Sequence, residues 1–361
     1  MYSEVVSFIQ KTFGTTDFLP LHEPRFVGNE KKYVADAIDS TFVSSVGAYV
    51  NRFEEDFSVA TQQKYTVATV NGTAALHIAM LLVAVEKDTE VLTQALTFVA
   101  TCNAISYIGA IPHFVDVSKD TLGMCPEKLE EYLADIAEIR NEGCYNKHTG
   151  RRISACVPMH TFGHIGDIER IVSICDAYHI PVVEDAAEAL GSYKNGKHAG
   201  SFGKVAAFSF NGNKIITSGG GGAITTANET LAKRAKHLTT TAKIPHKYKY
   251  EHDSIGYNYR MPNLNAALLV AQLEQLPLFL EKKRALAQQY RDFFKNKSLA
   301  FMTEPKNATS NYWLMALLLE NESERDAFLE YTNTNNVMTR PIWQLMNRLS
   351  MFSDCPSAPL P

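Results

Sequence analysis

The sequence predicts an α/β protein: a largely parallel sheet covered by helices on both faces, followed by a smaller α+β unit. Two observations carry this. Through the first two thirds of the chain, β-branched apolar runs of four to seven residues alternate with longer helical patterns, as strands buried on both faces do. After Tyr259 the pattern changes to one long amphipathic helix and a shorter mixed segment. The 361 residues allow about two to three domains. They also allow a core large enough to need no disulfide or metal staples.

In chain order, residues 66–70 (TVATV) read as a buried strand leading through Asn71, Gly72 and Thr73 into a helix over 74–85. Strand 90–94 leads to a helix over 98–107 and then to strand 111–117. Residues 155–160 (ACVPMH) form the next strand, followed by a helix over 168–178 and a strand over 180–184 (IPVVE) that ends in an acidic turn. Strands 205–210 and 222–226 complete the set. Residues 264–294 place Leu268, Leu273, Leu276, Leu278 and Leu280 at helical spacing, with Glu281, Lys282, Lys283 and Arg284 on the other face. Such a helix bridges two domains, here a large one over 1–260, with an N-terminal arm, and a smaller one over 261–361. Residues 312–319 (YWLMALLL) read as a strand of the smaller domain. The ending, SAPLP, leads us to expect that a last helix is missing.

Lys+Arg total 35 against Asp+Glu 39, a formal charge of −4. No basic field is present to grip a nucleic-acid backbone or a membrane surface. The six cysteines are scattered without a CxxC pair, which suits a reducing compartment. The first residues, MYSEVVSFIQ, lack the apolar core of a signal peptide. A soluble, cytoplasmic protein is expected.

Three stretches carry chemistry. Asn71-Gly72-Thr73 lies between a strand and a helix, where unpaired N–H groups and the positive dipole end bind phosphate. The same residues also suit an ordinary N-cap. Glu184 and Asp185 end a buried strand, the edge where open α/β sheets bind ligands. Asp185 suits a cationic ring nitrogen. Lys214 follows a buried strand in a turn of Asn and Gly, FSFNGNK, with GGGG just beyond. A partly buried lysine amine there is a candidate Schiff-base nucleophile. The glycines match neither GxGxxG nor a Walker A loop.

Taken in order, residues 53–57 (FEEDF), 71–76 (NGTAAL), 97–101 (TFVAT), 160–163 (HTFG), 184–187 (EDAA), 208–210 (FSF) and 256–261 (GYNYRM) resemble the fold-type I pyridoxal-phosphate enzymes. They closely resemble the DegT/StrS family of sugar-nucleotide aminotransferases. The resemblance spans about residues 20 to 350. It implies a seven-stranded, mostly parallel sheet plus a small C-terminal α+β domain, with pyridoxal 5′-phosphate or its pyridoxamine form as cofactor. The wording FSFNGNK with GGGG is most similar to the subgroup acting on UDP-4-keto-6-deoxy-N-acetylhexosamines, which serves legionaminic acid and related surface sugars.

The resemblance also implies roles. Lys214 links covalently to the cofactor and shuttles its proton, and Asp185 pairs with the ring nitrogen. Gly72, Thr73 and Ser209 hold the phosphate, and Phe98 stacks on the ring. Asn258 reaches the phosphate of a neighbouring subunit, which implies a homodimer with shared sites. Ser44, Ser45, His246 and Tyr257 are the expected substrate contacts, and L-glutamate is the expected amino donor. Where the family pattern has Gln, this chain has Glu188. Two neighbouring carboxyls push one pKa up, so Glu188 is expected to be protonated and to donate to the cofactor's phenolic oxygen. The implied reaction is amination at C4 of a nucleotide-linked keto sugar. Its rivals are a C3 aminotransferase, a dehydratase on the same scaffold, which would replace the lysine by histidine, and a non-catalytic cofactor-binding regulator.

Other features read as structural. His160 and His164 flank a turn rather than a metal-binding helix. Residues 243–250 (KIPHKYKY) suit a loop over the site. Trp313 and Trp343 read as packing residues, with Trp343, beside Arg340, the one able to face a sugar.

Overall fold

The structure, a computed structural model, describes residues 1–141 and 143–360. Its centre is a sheet of strands β1 (Tyr65–Thr69), β2 (Glu90–Gln94), β3 (Ile111–Val115), β4 (Arg152–Val157), β5 (Val183–Asp185), β6 (Val205–Ser209) and β7 (Gly222–Thr226). The spatial order is β1-β7-β6-β5-β4-β2-β3, with β4 and β5 joined by the bridges Cys156↔Val182 and Met159↔Asp185. β7 runs antiparallel to both neighbours, β1 and β6. The pairs β6–β5, β2–β3 and β2–β4 are parallel. This is the mostly parallel seven-stranded sheet of the fold-type I enzymes, with one strand reversed.

The helices are α1 (Tyr2–Phe13), α2 (Glu30–Asp39), α3 (Ala48–Ala60), α4 (Gly72–Leu82), α5 (Val99–Tyr107), α6 (Pro126–Ile136), α7 (Ile168–Ala177), α8 (Glu229–Thr239), α9 (Asn263–Phe294) and α10 (Glu322–Thr334). Strand side chains alternate between the sheet's two faces, and the packing follows that period. Val67, Ala207 and Ile224 join Ala75, Ile78, Ala79, Ala235 and Leu238 of α4 and α8. Their neighbours Ala68, Ala206, Phe208 and Ala223 turn the other way, onto Phe53 and Phe57 of α3 and Leu269 and Val270 of α9. Leu92, Val115 and Cys156 meet α6 and α7. Phe57 stands edge-on to both Phe208, at 5.1 Å, and Phe210, at 5.3 Å. Such pairs add about 0.5–1.5 kcal/mol beyond their buried area.

Several boundaries differ from the sequence-based expectations. α4 starts two residues early, capped by the Asn71 side chain, and stops at Leu82, where Ala84 takes a left-handed φ of 61°. β3 ends at Val115 and β4 occupies 152–157 rather than 155–160. The strand expected over 312–319 shrinks to Leu317–Leu318, because Tyr312 turns the chain with φ 47°. Val5, Val6 and Ile9 of α1 pack with Tyr290, Phe294, Phe328 and Val337, so the N-terminal helix joins the C-terminal cluster rather than the large sheet. The last segment returns to the sheet edge. The Ala358 N–H donates to the Phe114 carbonyl at 2.8 Å, and Met346 and Phe352 cover Phe114 and Cys102. That return carries Trp343 towards the ends of the strands.

Candidate active site

The site forms where β5 and β6 end beside the turn into α4, the carboxyl edge of the sheet. Asp185 closes β5 and is buried. Its Oδ2 accepts a hydrogen bond from the Thr101 hydroxyl on α5 at 2.7 Å, and Oδ1 accepts from the Ala187 N–H at 3.2 Å. Burial raises its pKa, opposed by the Thr101 and Ala187 donors and the Lys214 charge. Glu184, one residue earlier, belongs to the opposite face of β5 and anchors the strand. It accepts from His160 at 2.9 Å and from the N–H groups of Gly200, Phe202 and Gly203 at 2.8, 2.7 and 2.6 Å. Burial would raise its pKa, but His160 and the backbone donors outweigh that and hold it below the usual range.

Lys214 sits in the turn after β6, its N–H bonded to the Asn211 carbonyl at 3.0 Å. Its Nζ lies 3.2 Å from Glu188 Oε1 and 4.0 Å from the centre of the Trp313 ring. Glu188 is buried, and its Oε2 accepts from the Phe162 N–H at 2.9 Å. To aim that N–H, Phe162 takes a left-handed φ of 55°, a strained conformation for a bulky residue. Burial pushes Glu188 up to about 7, with the Asp185 charge adding to it and Lys214 and the Phe162 N–H pulling back. A carboxyl poised there can give or take a proton near neutral pH.

The phosphate-type turn faces the same edge. Asn71 Oδ1 caps α4 by accepting from the Ala74 N–H at 2.8 Å. A Cβ on Gly72 would lie 2.7 Å from Ser209 Cβ, so the start of α4 and the end of β6 meet only because residue 72 is glycine. Thr73 and Ser209 are both half-buried there. Phe98 caps α5 and stays 45% exposed. With it, Trp343 and Phe162 form an aromatic arc, with ring centres 5.6 Å apart at each step, and Trp313 follows 6.2 Å from Phe162.

Four of the expected residues make their contacts elsewhere, as does Asn258, whose expected place is a neighbouring subunit's phosphate. Ser44 is exposed, and its carbonyl accepts from the Asn263 N–H at 2.6 Å. Ser45 lines a separate cavity with Asp36, Tyr49, Lys236 and Asn263. His246 caps its own exposed loop, its Nδ1 accepting from the N–H groups of Tyr248 and Lys249. Tyr257 stacks on Tyr259 at 5.1 Å and meets His77 at 4.8 Å, a packing role against α4. Asn258 Oδ1 is held by Arg260, with Nη2 at 2.8 Å. Within one subunit these residues stay apart from Lys214.

Sequence reasoning missed Thr101, Phe162, Asn311 and Trp313. Thr101 lies one helical turn after Thr97, whose hydroxyl it meets at 3.1 Å, and that spacing was a usable signal. The other three are brought in by tertiary contacts alone. The residues present fit pyridoxal phosphate on three counts. A buried carboxyl strained by desolvation gains from a cationic ring nitrogen, a glycine cradle gives an anion access to the backbone, and a lysine amine stands beside the Glu188 carboxyl.

Residues 24–360 match the DegT/DnrJ/EryC1/StrS aminotransferase family. The chain is 36% identical over 333 residues to EpsN of Bacillus subtilis (strain 168), covering 92% of this chain and 83% of that protein. It is 35% identical over 337 residues to GDP-perosamine synthase of Escherichia coli O157:H7, covering 93% and 88%. Its fold superposes on the aminotransferase TlmJ of Streptoalloteichus hindustanus with a TM-score of 0.85 at 26% identity, covering 95% and 89%. These matches run through the sheet, the lysine turn and the C-terminal return, so the chain belongs to the DegT/DnrJ/EryC1/StrS aminotransferase family and works with pyridoxal phosphate.

Proposed function

We propose that this enzyme moves an amino group from L-glutamate to the C4 keto group of a nucleotide-linked 4-keto-6-deoxy sugar, as a homodimer with shared active sites. The observation that carries the reading is the amine of Lys214 set 3.2 Å from Glu188 beside buried Asp185. The similarity to GDP-perosamine synthases of Escherichia coli and Vibrio cholerae, at 35% and 34% identity, supports a nucleotide-linked sugar as acceptor.

Bound pyridoxal phosphate supplies the electron sink that lets an amine pass between donor and acceptor. The protein does the rest. Lys214 would hold the cofactor covalently and, once free, move a proton at the substrate carbon. Asp185 would face the ring nitrogen and keep it protonated, with Thr101 fixing the carboxylate's orientation. Gly72, Thr73 and Ser209 would hold the phosphate, Phe98 would cover the ring, and Asn258 would serve the partner's site. Glu188, held up to about 7, would exchange a proton with Lys214 or donate to the phenolic oxygen. The sheet and its helices up to residue 260 would form the cofactor-holding domain, and the part from residue 261, with α1 packed onto it, would supply Trp313 and Trp343.

The sequence resemblance favours a UDP-linked N-acetylhexosamine, whereas the names of the relatives favour a GDP-linked sugar. An assay with glutamate and a panel of UDP-, GDP- and dTDP-linked 4-keto sugars decides between them. Amination at C4 of one sugar, with 2-oxoglutarate released, is the expected result. Amination at C3, no turnover with any of the panel, or turnover by Lys214→Ala would overturn the reading.

A further inference from the structure

The geometry points to a dock for the Lys214 amine in its unlinked state, made of the Trp313 ring on one side and the Glu188 carboxyl on the other, with Trp313 as a positioning residue. The inference rests on Lys214 being the lysine that carries the cofactor.

The Lys214 side chain is 13% exposed, so its ammonium has lost most of its water. Two groups replace that water: the Glu188 oxygen at 3.2 Å and the face of the indole at 4.0 Å from its centre. An aromatic face attracts a desolvated cation through its quadrupole, and tryptophan does so best.

Trp313 is held through its ring and its main chain. Its Nε1–H donates to the Asn213 carbonyl at 2.5 Å, in the lysine's own turn. Its backbone N–H donates to Asn311 Oδ1 at 2.8 Å, and its carbonyl accepts from Lys283 Nζ at 3.0 Å. Asn311 ties the two walls together, since its Nδ2 also donates to the carbonyls of Glu188 at 2.7 Å and Leu190 at 3.0 Å. Gly163 leaves room for this: a Cβ there would collide with Asn311 Oδ1. With the backbones tied together and each side chain held in turn, the indole by Asn213 and the carboxyl by the Phe162 N–H, a released amine returns to one place between them.

The other titratable groups facing the amine are Asp185 at the end of β5, and His22 and Lys283. The last two line a cavity with Lys214 and Trp313. None of the three offers the ammonium a contact like those of Glu188 and Trp313. Removing the ring leaves a desolvated cation with one partner.

The test uses the cofactor-free protein. Reductive methylation of lysines across a pH series, read by peptide mass mapping at residue 214, gives the midpoint of the amine's titration. Trp313→Leu is expected to lower that midpoint by about one pH unit, a roughly tenfold change in acidity, and Trp313→Phe to lower it by less. A midpoint equal to wild type in Trp313→Leu would overturn the dock. Should Trp313→Leu not fold, Trp313→Phe decides alone, and an unmoved midpoint counts against the inference. Borohydride reduction of the loaded wild type, followed by the same mapping, checks the underlying assignment separately: cofactor found on another lysine removes the premise, whatever the midpoints show.

Discussion

Replacing Glu188 by glutamine removes one titratable proton from the Lys214 pocket and keeps its shape. In the folded chain burial holds this carboxyl up to about 7, against an ordinary 4.5. As pH rises from 4.5, the unfolded chain gives up the Glu188 proton while the folded chain keeps it, and folding stability falls until about pH 7. At 1.36 kcal/mol per pH unit the loss comes to about 3 kcal/mol. Glutamine has no proton to lose, so the variant gains about 3 kcal/mol on wild type across that window. A chain of 361 residues unfolds with an entropy of about 0.8 kcal/mol/K, which makes the gain about 4 °C in Tm. The assay is calorimetric melting of both cofactor-free proteins at pH 5 and pH 8. A difference in Tm that stays constant between the two pH values, or moves in wild type's favour at pH 8, would refute the reasoning and show Glu188 ionising as an ordinary surface carboxyl does.

Three further outcomes are expected. Thr101→Val removes the 2.7 Å donor to Asp185 while keeping the side chain's volume. Urea denaturation of the cofactor-free protein at pH 8 should show a loss of about 1–3 kcal/mol. Gly72→Ala sets a Cβ 2.7 Å from Ser209 Cβ and forces apart the two turns proposed to hold the phosphate. Absorbance titration with pyridoxal phosphate should show affinity falling by about tenfold or more, the effect of about 1.4 kcal/mol. Asn311→Ala breaks the bonds to the Glu188 and Leu190 carbonyls and orphans the Trp313 N–H. Denaturation should show a cost of about 2–4 kcal/mol, with a shift in tryptophan emission as the indole leaves its seat.

Much of the large sheet was legible because strand burial is written locally. The run 222–226 is a strand with the bounds the sequence predicts, and the long helix starts within a residue of its expected position. The reversal of β7 was not legible, since side-chain alternation is the same in either direction. Among the candidate site residues, Lys214, Asp185 and Glu188 meet because each closes or follows a buried strand, and buried strands end at a common edge. Ser45, His246 and Tyr257 sit on turns and loops, whose course depends on what they pack against. Trp313 marks the limit most clearly. An indole in an apolar run reads as packing, and nothing near it in sequence announces an ammonium 4.0 Å away. The sequence by itself determined the alternating elements, the sheet edge and the three groups that gather there. Tertiary structure alone decided which face of the small C-terminal part closes on the lysine, because that contact comes from Asn311 bonding across the chain to Glu188 and Leu190, and no local pattern encodes such a bond.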